Sequence, residues 1–183
     1  MIELERTFLV KRIPDELKNC ESKEIIDIYL PKEERHPKLR IRKNGNKFEI
    51  TKKEPETQGD FSKQVEYTIP LKEKEFISLS KIDGKKIHKI RYYYKYNDQI
   101  AEIDLFLGEL KGLIIADFEF ENEDEKNNFE IPDFCLAEVT QEEFIAGGFI
   151  CGKKYEDIEE HLKKYDYKRL FLENINNSDH ISS

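Results

Sequence analysis

The sequence predicts an α+β protein in which antiparallel β-structure predominates, built as an eight-stranded closed β-barrel with flanking helices and a C-terminal helix. Three observations support this prediction. Many segments alternate in character with the two-residue period of a β-strand. The turn signals Asn44-Gly45-Asn46 and Asn97-Asp98 join neighbouring segments as hairpins. Few stretches have a helical period, and closing hairpin-connected strands into a barrel removes exposed sheet edges.

Eight segments of the chain are predicted to be strands. The first carries Ile2, Leu4 and Phe8 on one face and Glu3 and Glu5 on the other. The later segments are bounded by proline or by turn signals and are enriched in β-branched or alternating residues. The predicted strands are residues 2–10, 24–30, 38–43, 47–53, 63–69, 85–96, 99–107 and 113–121.

The helical predictions are fewer and shorter. Residues 71–82 place Phe76, Leu79 and Ile82 on one face of a short amphipathic helix. Residues 123–128 are predicted to form one helical turn, and the C-terminal helix is predicted over about residues 155–172. We expect residues 1–172 to form a single domain and the polar residues 173–183 to form a disordered tail.

The composition limits the classes of function. The chain has 183 residues, a net charge of −8, and 12 Phe and 9 Tyr, enough aromatic side chains to argue against disorder. The acidic balance argues against non-specific nucleic-acid binding, which needs a basic surface, and we expect no specific nucleic-acid partner. The three cysteines form no disulfide or zinc pattern. Neither a signal-peptide-type run nor a segment of transmembrane length is found, so we expect no membrane association and a cytoplasmic location.

Several predicted strands carry charged residues at alternate positions with apolar residues between them. The pairs that share a face are Glu3 and Glu5, Arg40 and Arg42, Lys89 and Arg91, Glu102 and Asp104, and Asp117 and Glu119. If the apolar faces pack outward, these charges, with Lys52 and Glu66, line the barrel interior. An interior with both signs suits a polyanion with divalent metals. Periodicity alone leaves open a sandwich whose charged face lies in water.

Ordered motifs along the chain resemble one known family. Glu3-Leu4-Glu5-Arg6-Thr7 resembles the opening ExExK signature of the CYTH superfamily, the triphosphate tunnel metalloenzymes. Further segments follow in the family's order. Leu39-Arg40-Ile41-Arg42 resembles its paired-arginine strand, Ile50-Thr51-Lys52 its tunnel-lysine strand, and Lys89-Ile90-Arg91-Tyr92 its K-x-R strand. Residues 102–113 followed by Asp117-Phe118-Glu119-Phe120 resemble its ExDxFxGxLxGL run and the acidic strand after it. The segment Glu138-Val139-Thr140 is similar to the part of the family pattern that comes next.

The resemblance implies a triphosphate tunnel that binds a triphosphate-containing small molecule with Mg²⁺ or Mn²⁺. The residues expected to bind the metal are Glu3, Glu5, Asp117 and Glu119. Those expected to bind phosphate are Arg40, Arg42, Lys52, Lys89 and Arg91, and the catalytic role falls to Glu5 and Lys89. Further residues expected to line the tunnel are Thr7, Glu66, Glu102 and Asp104. A homodimer is left open by the sequence.

The chain departs from the family pattern at the lysine of ExExK, which is Thr7 here. Arg6 alternates to the other face of the strand and is not a replacement without a change of register. Three functions therefore stay in view. The first is a metal-dependent triphosphatase acting on inorganic triphosphate, the second a catalytically weakened module that binds a triphosphate or organophosphate, and the third an adenylate cyclase of the class IV type.

Overall fold

The computed structural model describes residues 2–57 and 59–172. Within these residues the strands are β1 Ile2–Val10, β2 Ser22–Leu30, β3 Leu39–Asn44, β4 Lys47–Pro55, β5 Lys63–Leu71, β6 Lys85–Tyr96, β7 Gln99–Phe106, β8 Ile114–Phe120 and β9 Cys135–Glu138. The α-helices are α1 Glu73–Leu79, α2 Glu123–Asn128, α3 Gly147–Ile150 and α4 Tyr155–Lys163. Three short 3₁₀ turns lie at Leu17–Asn19, Gly108–Leu110 and Glu143–Ile145.

The strands form one antiparallel sheet in the order β5-β4-β3-β2-β6-β7-β8-β1-β9, and β1 also pairs with β5. That extra pairing joins Ile2 to Val65 and Leu4 to Lys63, which closes the first eight strands into a barrel. The other edge of β1 pairs with β8 from Leu4 to Leu9. The predicted eight-stranded closed barrel is confirmed, and the sandwich alternative is excluded because no sheet edge separates β1 from β5.

β9 is a strand that the sequence did not predict. It pairs with the second half of β1, where Phe8 lies opposite Glu138 and Leu9 opposite Ala137. The edge of β1 that faces β5 at its start therefore faces β9 at its end. At four residues β9 is shorter than a typical strand, which explains why alternation gave no clear signal for it.

Apolar packing surrounds the barrel wall and fills one of its ends. Phe8, Phe118 and Ile103 are fully buried on the outer face, in a cluster that also contains Leu17 and Phe134 from the covering loops. A second cluster joins the barrel to α3 and α4 and includes Leu9, Ile87, Phe106, Ile115, Ile150 and Ile158. Since apolar residues occupy the outer wall and one end, the middle of the barrel is the part of the interior left for charged side chains.

Two predicted helices have different bounds in the structure. α1 covers only part of the predicted 71–82. The prediction of one C-terminal helix over 155–172 is wrong in length, because α4 ends at Lys163 and Asp166 adopts a φ of 56°. Residues beyond Asp166 run back along the barrel, where the Tyr167 hydroxyl donates to the Gly112 carbonyl oxygen (3.0 Å) and accepts from the Ile114 amide (2.8 Å).

The single turn predicted over 123–128 is confirmed as α2. The residue before it, Asn122, accepts a hydrogen bond from the Glu125 amide through its side-chain oxygen. This is the usual role of an N-cap residue. No helix among the described residues has the length and apolar character needed to cross a membrane. The prediction of a disordered tail concerns residues 173–183, which lie outside the described residues.

Candidate active site

The interior of the barrel contains a cavity of about 350 Å³, called the central cavity below. Every one of the first eight strands contributes at least one side chain to it. The anionic residues that line it are Glu3, Glu5, Asp27, Glu49, Glu66, Glu102, Asp117, Glu119 and Glu142, and the cationic ones are Lys38, Arg40, Arg42, Lys53, Lys89 and Arg91. The period of two along each strand brings most of these charges inward, because the residues between them face the outer wall. Lys38 and Glu142 lie outside the strands.

Arg42 is held in place by a buried carboxylate. Its Nε and Nη2 atoms donate to the two carboxylate oxygens of Asp27 at 2.7 and 2.8 Å. Burial alone would raise the pKa of Asp27, but the Arg42 guanidinium outweighs that effect and holds the pKa well below its usual range. A bidentate pair of this kind fixes the plane of the guanidinium, so its remaining N–H groups have a defined direction.

Arg40 lies two residues earlier on β3 and shares the inward face. It donates from Nη1 to the Tyr29 hydroxyl at 3.2 Å, and Nη2 lies 3.6 Å from a Glu66 carboxylate oxygen. The Arg40 Nε atom is buried and makes no hydrogen bond to the rest of the described chain. A buried donor without a partner is costly, and a phosphate oxygen is a suitable acceptor for it.

Lys89 and Arg91 form a second basic group, on β6. Arg91 donates from Nε and Nη2 to the two oxygens of Asp104, both at 2.7 Å, and it also contacts Glu102. Lys89 donates to Asp104 as well. Burial and the neighbouring Arg91 lower the pKa of Lys89, although Asp104 partly opposes this shift. Burial opposes ionisation of Asp104, but Arg91 and Lys89 lower its pKa to about 2.

Asp104 was predicted to line the tunnel, and this prediction is wrong. Its side chain points inward but is completely covered, and it does not reach the surface of the central cavity. Lys89 and Arg91 lie over it and form the cavity wall in its place. Asp104 therefore positions two cations and makes no contact with the cavity.

Lys52 was predicted to bind phosphate from inside the barrel, and the structure places it outside. Its side chain is 49% exposed and its ammonium lies 3.0 Å from Glu54. The inward residues of β4 are Glu49, Thr51 and Lys53, so Lys52 has the wrong parity. Lys53 lies opposite Glu66 in the register of β4 with β5, and this pairing marks it as the interior lysine.

Lys53 bridges the two glutamates of β1. Its ammonium lies 2.6 Å from a Glu5 oxygen and 3.0 Å from a Glu3 oxygen. Burial would lower the pKa of Lys53, but Glu5 and Glu3 more than compensate and raise it. Burial raises the pKa of Glu5 even though Lys53 opposes the shift, and the nearby Asp117 raises it further.

Thr7 continues the inward face of β1 beyond Glu5. Its hydroxyl donates to an Asp117 carboxylate oxygen at 2.7 Å, and its amide donates to the Thr140 hydroxyl at 3.0 Å. Arg6 points to the outer face as expected and pairs with Glu138 through Nε at 3.1 Å. No cation replaces the family lysine from within β1.

Carboxylates gather toward the opposite end of the barrel from α3. Partial burial together with Glu102 and Glu3 raises the pKa of Glu119 to about 7. Burial also raises the pKa of Glu102. A second cavity adjoins the first at these two residues, and its other acidic lining residues are Asp98, Glu121 and Glu125. This end of the barrel has an excess of negative charge that a cation would relieve.

The donor chemistry of the interior suits a hard divalent metal, because carboxylate oxygens are the ligands that Mg²⁺ and Mn²⁺ prefer. Glu3 and Glu5 already converge on one cationic atom, the Lys53 nitrogen. With Lys53 in that position, no group of three His, Cys, Asp or Glu side chains in the described chain is arranged to hold a metal ion. The residue types fit a metal, and Glu3 and Glu5 are the pair already directed at a cation.

Sequence reasoning missed several residues of the cavity. Asp27 and Tyr29 lie in β2, which is rich in β-branched residues. The position of Asp27 between Ile26 and Ile28 was the one indication in the sequence that this strand also has a polar inward face. Thr140 and Glu142 come from the segment after β9 and reach the cavity through the chain connection rather than through strand alternation. Nothing in their local pattern indicated this position.

The chain resembles known proteins in sequence and in structure. A family model described as the CYTH domain matches residues 1–133. An inorganic triphosphatase from Nitrosomonas europaea is 33% identical over 144 residues, which are 78% of this chain and 91% of that protein. Another inorganic triphosphatase, from Acetivibrio thermocellus, is 35% identical over 102 residues, 56% of this chain and 64% of that protein.

The fold comparison agrees with the sequence comparison. The crystal structure of the inorganic triphosphatase NE1496 superposes with a TM-score of 0.61 at 27% identity, covering 82% of this chain and 95% of that one. The family match extends over most of the chain and includes the strands that supply Glu3, Arg40, Lys89 and Asp117. The protein therefore belongs to the CYTH domain family.

Proposed function

We propose that this protein is a metal-dependent hydrolase that cleaves inorganic triphosphate inside its barrel. The observation that carries the proposal is the central cavity, in which guanidinium, ammonium and carboxylate groups face one another. Its relatives from Nitrosomonas europaea and Acetivibrio thermocellus bear the name inorganic triphosphatase. A triphosphate carries negative charge on every phosphoryl group, so it needs several cations at once to leave water.

In this proposal the basic residues bind the phosphate chain. Arg40 and Arg42 lie on the inward face of β3, and Lys89 and Arg91 on that of β6, with β2 between the two strands. All four side chains are largely buried. Asp27 and Asp104 fix Arg42 and Arg91, which reduces the reorganisation needed when a substrate arrives. Lys53 takes the place that the sequence prediction gave to Lys52.

The acidic residues proposed to hold Mg²⁺ or Mn²⁺ are Glu3, Glu5, Asp117 and Glu119. When bound, the metal supplies charge neutralisation at the phosphoryl oxygens and polarises a coordinated water. Lys89 is proposed to donate a hydrogen bond to the phosphoryl group under attack. Hydrolysis breaks one P–O bond of the P–O–P bridge and forms a new one to water, giving orthophosphate and pyrophosphate.

Thr7 favours one competing function, a module that binds a triphosphate or organophosphate with little turnover. The hydroxyl that stands at the family's lysine position donates to Asp117 and adds no positive charge to the cavity. With one cation fewer, the developing charge of a phosphoryl-transfer transition state has less stabilisation. Binding and catalysis therefore have to be measured separately.

A substrate comparison tests the proposal. Purified protein with Mg²⁺ or Mn²⁺ is given inorganic triphosphate, ATP or thiamine triphosphate, and phosphate and cyclic nucleotide are measured. We expect phosphate release from triphosphate to dominate. Binding of triphosphate by calorimetry with no phosphate release would support the binding module, and formation of cyclic AMP as the main product would support the cyclase.

Glu5→Gln tests the proposed role of Glu5 as a metal ligand. The amide keeps the size of the side chain but loses the charge of a metal ligand, so we expect metal-dependent phosphate release to fall at least about 100-fold. A thermal melt close to that of the wild type would show that the fold is retained. Lys52→Met is the control, because Lys52 lies outside the barrel. Wild-type rates in Glu5→Gln would refute the metal assignment.

The remaining proposals concern the extent of the domain, its location in the cell and its partner. We infer that the tunnel domain extends over residues 1–172, that the enzyme works in the cytoplasm, and that its partner is a triphosphate-containing small molecule without a nucleic acid. The net charge of −8 supports the last point, because a polyanion of nucleic-acid length would meet repulsion outside the cavity. Size measurement in solution separates a monomer from a homodimer.

A further inference from the structure

Lys53 lies where a bound cation would be expected. Its ammonium contacts one oxygen of Glu5 at 2.6 Å and one of Glu3 at 3.0 Å, and the side chain is only 23% exposed. These are the two glutamates whose carboxylates would form the core of a metal site. The lysine reaches them from β4, which is separated from β1 by the single strand β5.

A divalent metal and the Lys53 ammonium compete for the same oxygens. Mg²⁺ binds carboxylate oxygens at about 2.0–2.1 Å, so a metal shared by Glu3 and Glu5 would lie close to the present position of the lysine nitrogen. Two cations at such a distance in a buried site repel strongly, since little water screens them. The lysine has a flexible stem of four carbons and is the partner able to move.

We infer that Lys53 is a resident counter-cation of the metal site, which the divalent ion displaces and which then binds the substrate. The inference rests on the proposed metal-dependent function. Lys53 lies opposite Glu66 in the sheet, and Glu66 also contacts Arg40 at 3.6 Å. An ammonium released from Glu3 and Glu5 therefore stays close to Arg40, which is proposed to bind phosphate.

This exchange couples the two ligands. The metal must break the ion pairs of Lys53, which weakens metal binding to the free protein. Once the metal is bound, the freed ammonium adds a cation for the triphosphate, so metal and triphosphate favour each other's binding beyond any direct contact between them.

Calorimetry on wild type and Lys53→Met tests the exchange. The titrants are Mn²⁺ alone, and imidotriphosphate, whose P–NH–P bridges resist hydrolysis, with and without Mn²⁺. We expect Lys53→Met to bind Mn²⁺ alone about tenfold more tightly, and the factor by which Mn²⁺ raises the affinity for imidotriphosphate to shrink about tenfold. The matched control Lys52→Met should behave as wild type in both measurements.

Two outcomes would overturn the inference. Unchanged or weaker Mn²⁺ binding by Lys53→Met would show that the lysine does not compete with the metal. Tighter Mn²⁺ binding with an unchanged coupling factor would show only the loss of a nearby positive charge. Because both measurements exclude turnover, a wild type that fails to hydrolyse triphosphate would refute the proposed function and leave this test standing.

A measurement on the wild-type protein avoids dependence on the folding of the variant. Acetylation of lysines followed by mass spectrometry reports how accessible each ammonium is. We expect Mn²⁺ alone to increase the labelling of Lys53 and to leave that of Lys52 unchanged. Equal labelling of Lys53 with and without Mn²⁺, under conditions where calorimetry shows that the metal is bound, would contradict the displacement.

Discussion

At the scale of single residues, Thr7 is the position at which this chain differs most clearly from the family signature. The side chain faces the central cavity, and its hydroxyl donates to Asp117 at 2.7 Å. A lysine here would have its ammonium among the carboxylates of β1 and β8 and close to any phosphate bound beside them. The residue is therefore expected to limit affinity for the substrate.

Thr7→Lys should tighten the binding of imidotriphosphate about tenfold, because it adds a cation to the cavity that is proposed to bind the phosphate chain. Calorimetry in the presence of Mn²⁺ measures the change. Ser78→Lys adds the same charge to the exposed surface of α1 and serves as the control. An affinity equal to that of the control would place position 7 away from the bound phosphates.

Sequence alternation predicted most of the inward charges and failed at particular positions. Glu3, Glu5, Arg40, Lys89 and Asp117 line the cavity as predicted. The prediction for Lys52 was wrong because two adjacent lysines point to opposite faces of the strand, and which of them faces inward depends on the register of β4 with its neighbours. Asp104 was wrong for a different reason, since alternation gives direction but not depth, and Lys89 and Arg91 cover it.

At the scale of elements, β1 and the C-terminal segment organise the fold. β1 has β8 along one edge and β5 followed by β9 along the other. The segment after α4 is attached to the barrel through Tyr167, whose hydroxyl forms hydrogen bonds with both Gly112 and Ile114. The Gly112 carbonyl oxygen also accepts from the Leu170 amide, so removing the hydroxyl leaves only the buried Ile114 amide without its partner.

Tyr167→Phe should lower the free energy of unfolding by about 1–3 kcal/mol, the cost of leaving the buried Ile114 amide unpaired. Urea denaturation monitored by circular dichroism measures it. Tyr67→Phe removes the same hydroxyl from a side chain that is 63% exposed and should change stability by no more than a few tenths of a kcal/mol. Equal effects of the two substitutions would mean that Tyr167 does not anchor the segment.

The strands were easier to predict than the helices because their alternation and turn residues are local. Gly45 and Asn97 adopt φ values of 57° and 52°, as the turn prediction at these hairpins requires. The end of α4 depends instead on the packing of Tyr167 against the barrel, which no window of sequence contains. The four residues of β9 likewise depend on the free edge of β1.

At the scale of the whole molecule, the barrel keeps many charges inside by pairing them. Burial favours the protonated forms of Asp27 and Asp104, but the cations beside them outweigh this effect and lower both pKa values. Their pKa values in the folded protein lie below the ordinary value of 3.8. A carboxylate with a lowered pKa stabilises the fold above its unfolded-state pKa, and this stabilisation is lost as the pH falls.

Acid should therefore destabilise the barrel through these pairs. For Asp104, the shift from 3.8 to about 2 corresponds to about 2 kcal/mol, present above pH 4 and lost as the pH falls toward 2. Urea unfolding at a series of pH values from 6 down to 2 measures the loss. Asp104→Asn should have a shallower pH dependence than wild type, and identical slopes would contradict the assignment.

The interior of the barrel is proposed to bind a divalent metal and a phosphate chain together. Crystals grown with Mn²⁺ and imidotriphosphate test it directly through the anomalous signal of manganese. We expect a manganese peak inside the barrel within coordinating distance of Glu3 and Glu5, with phosphate density against Arg40 and Arg42. Manganese found only on the outer wall, with no phosphate density in the central cavity, would contradict the account.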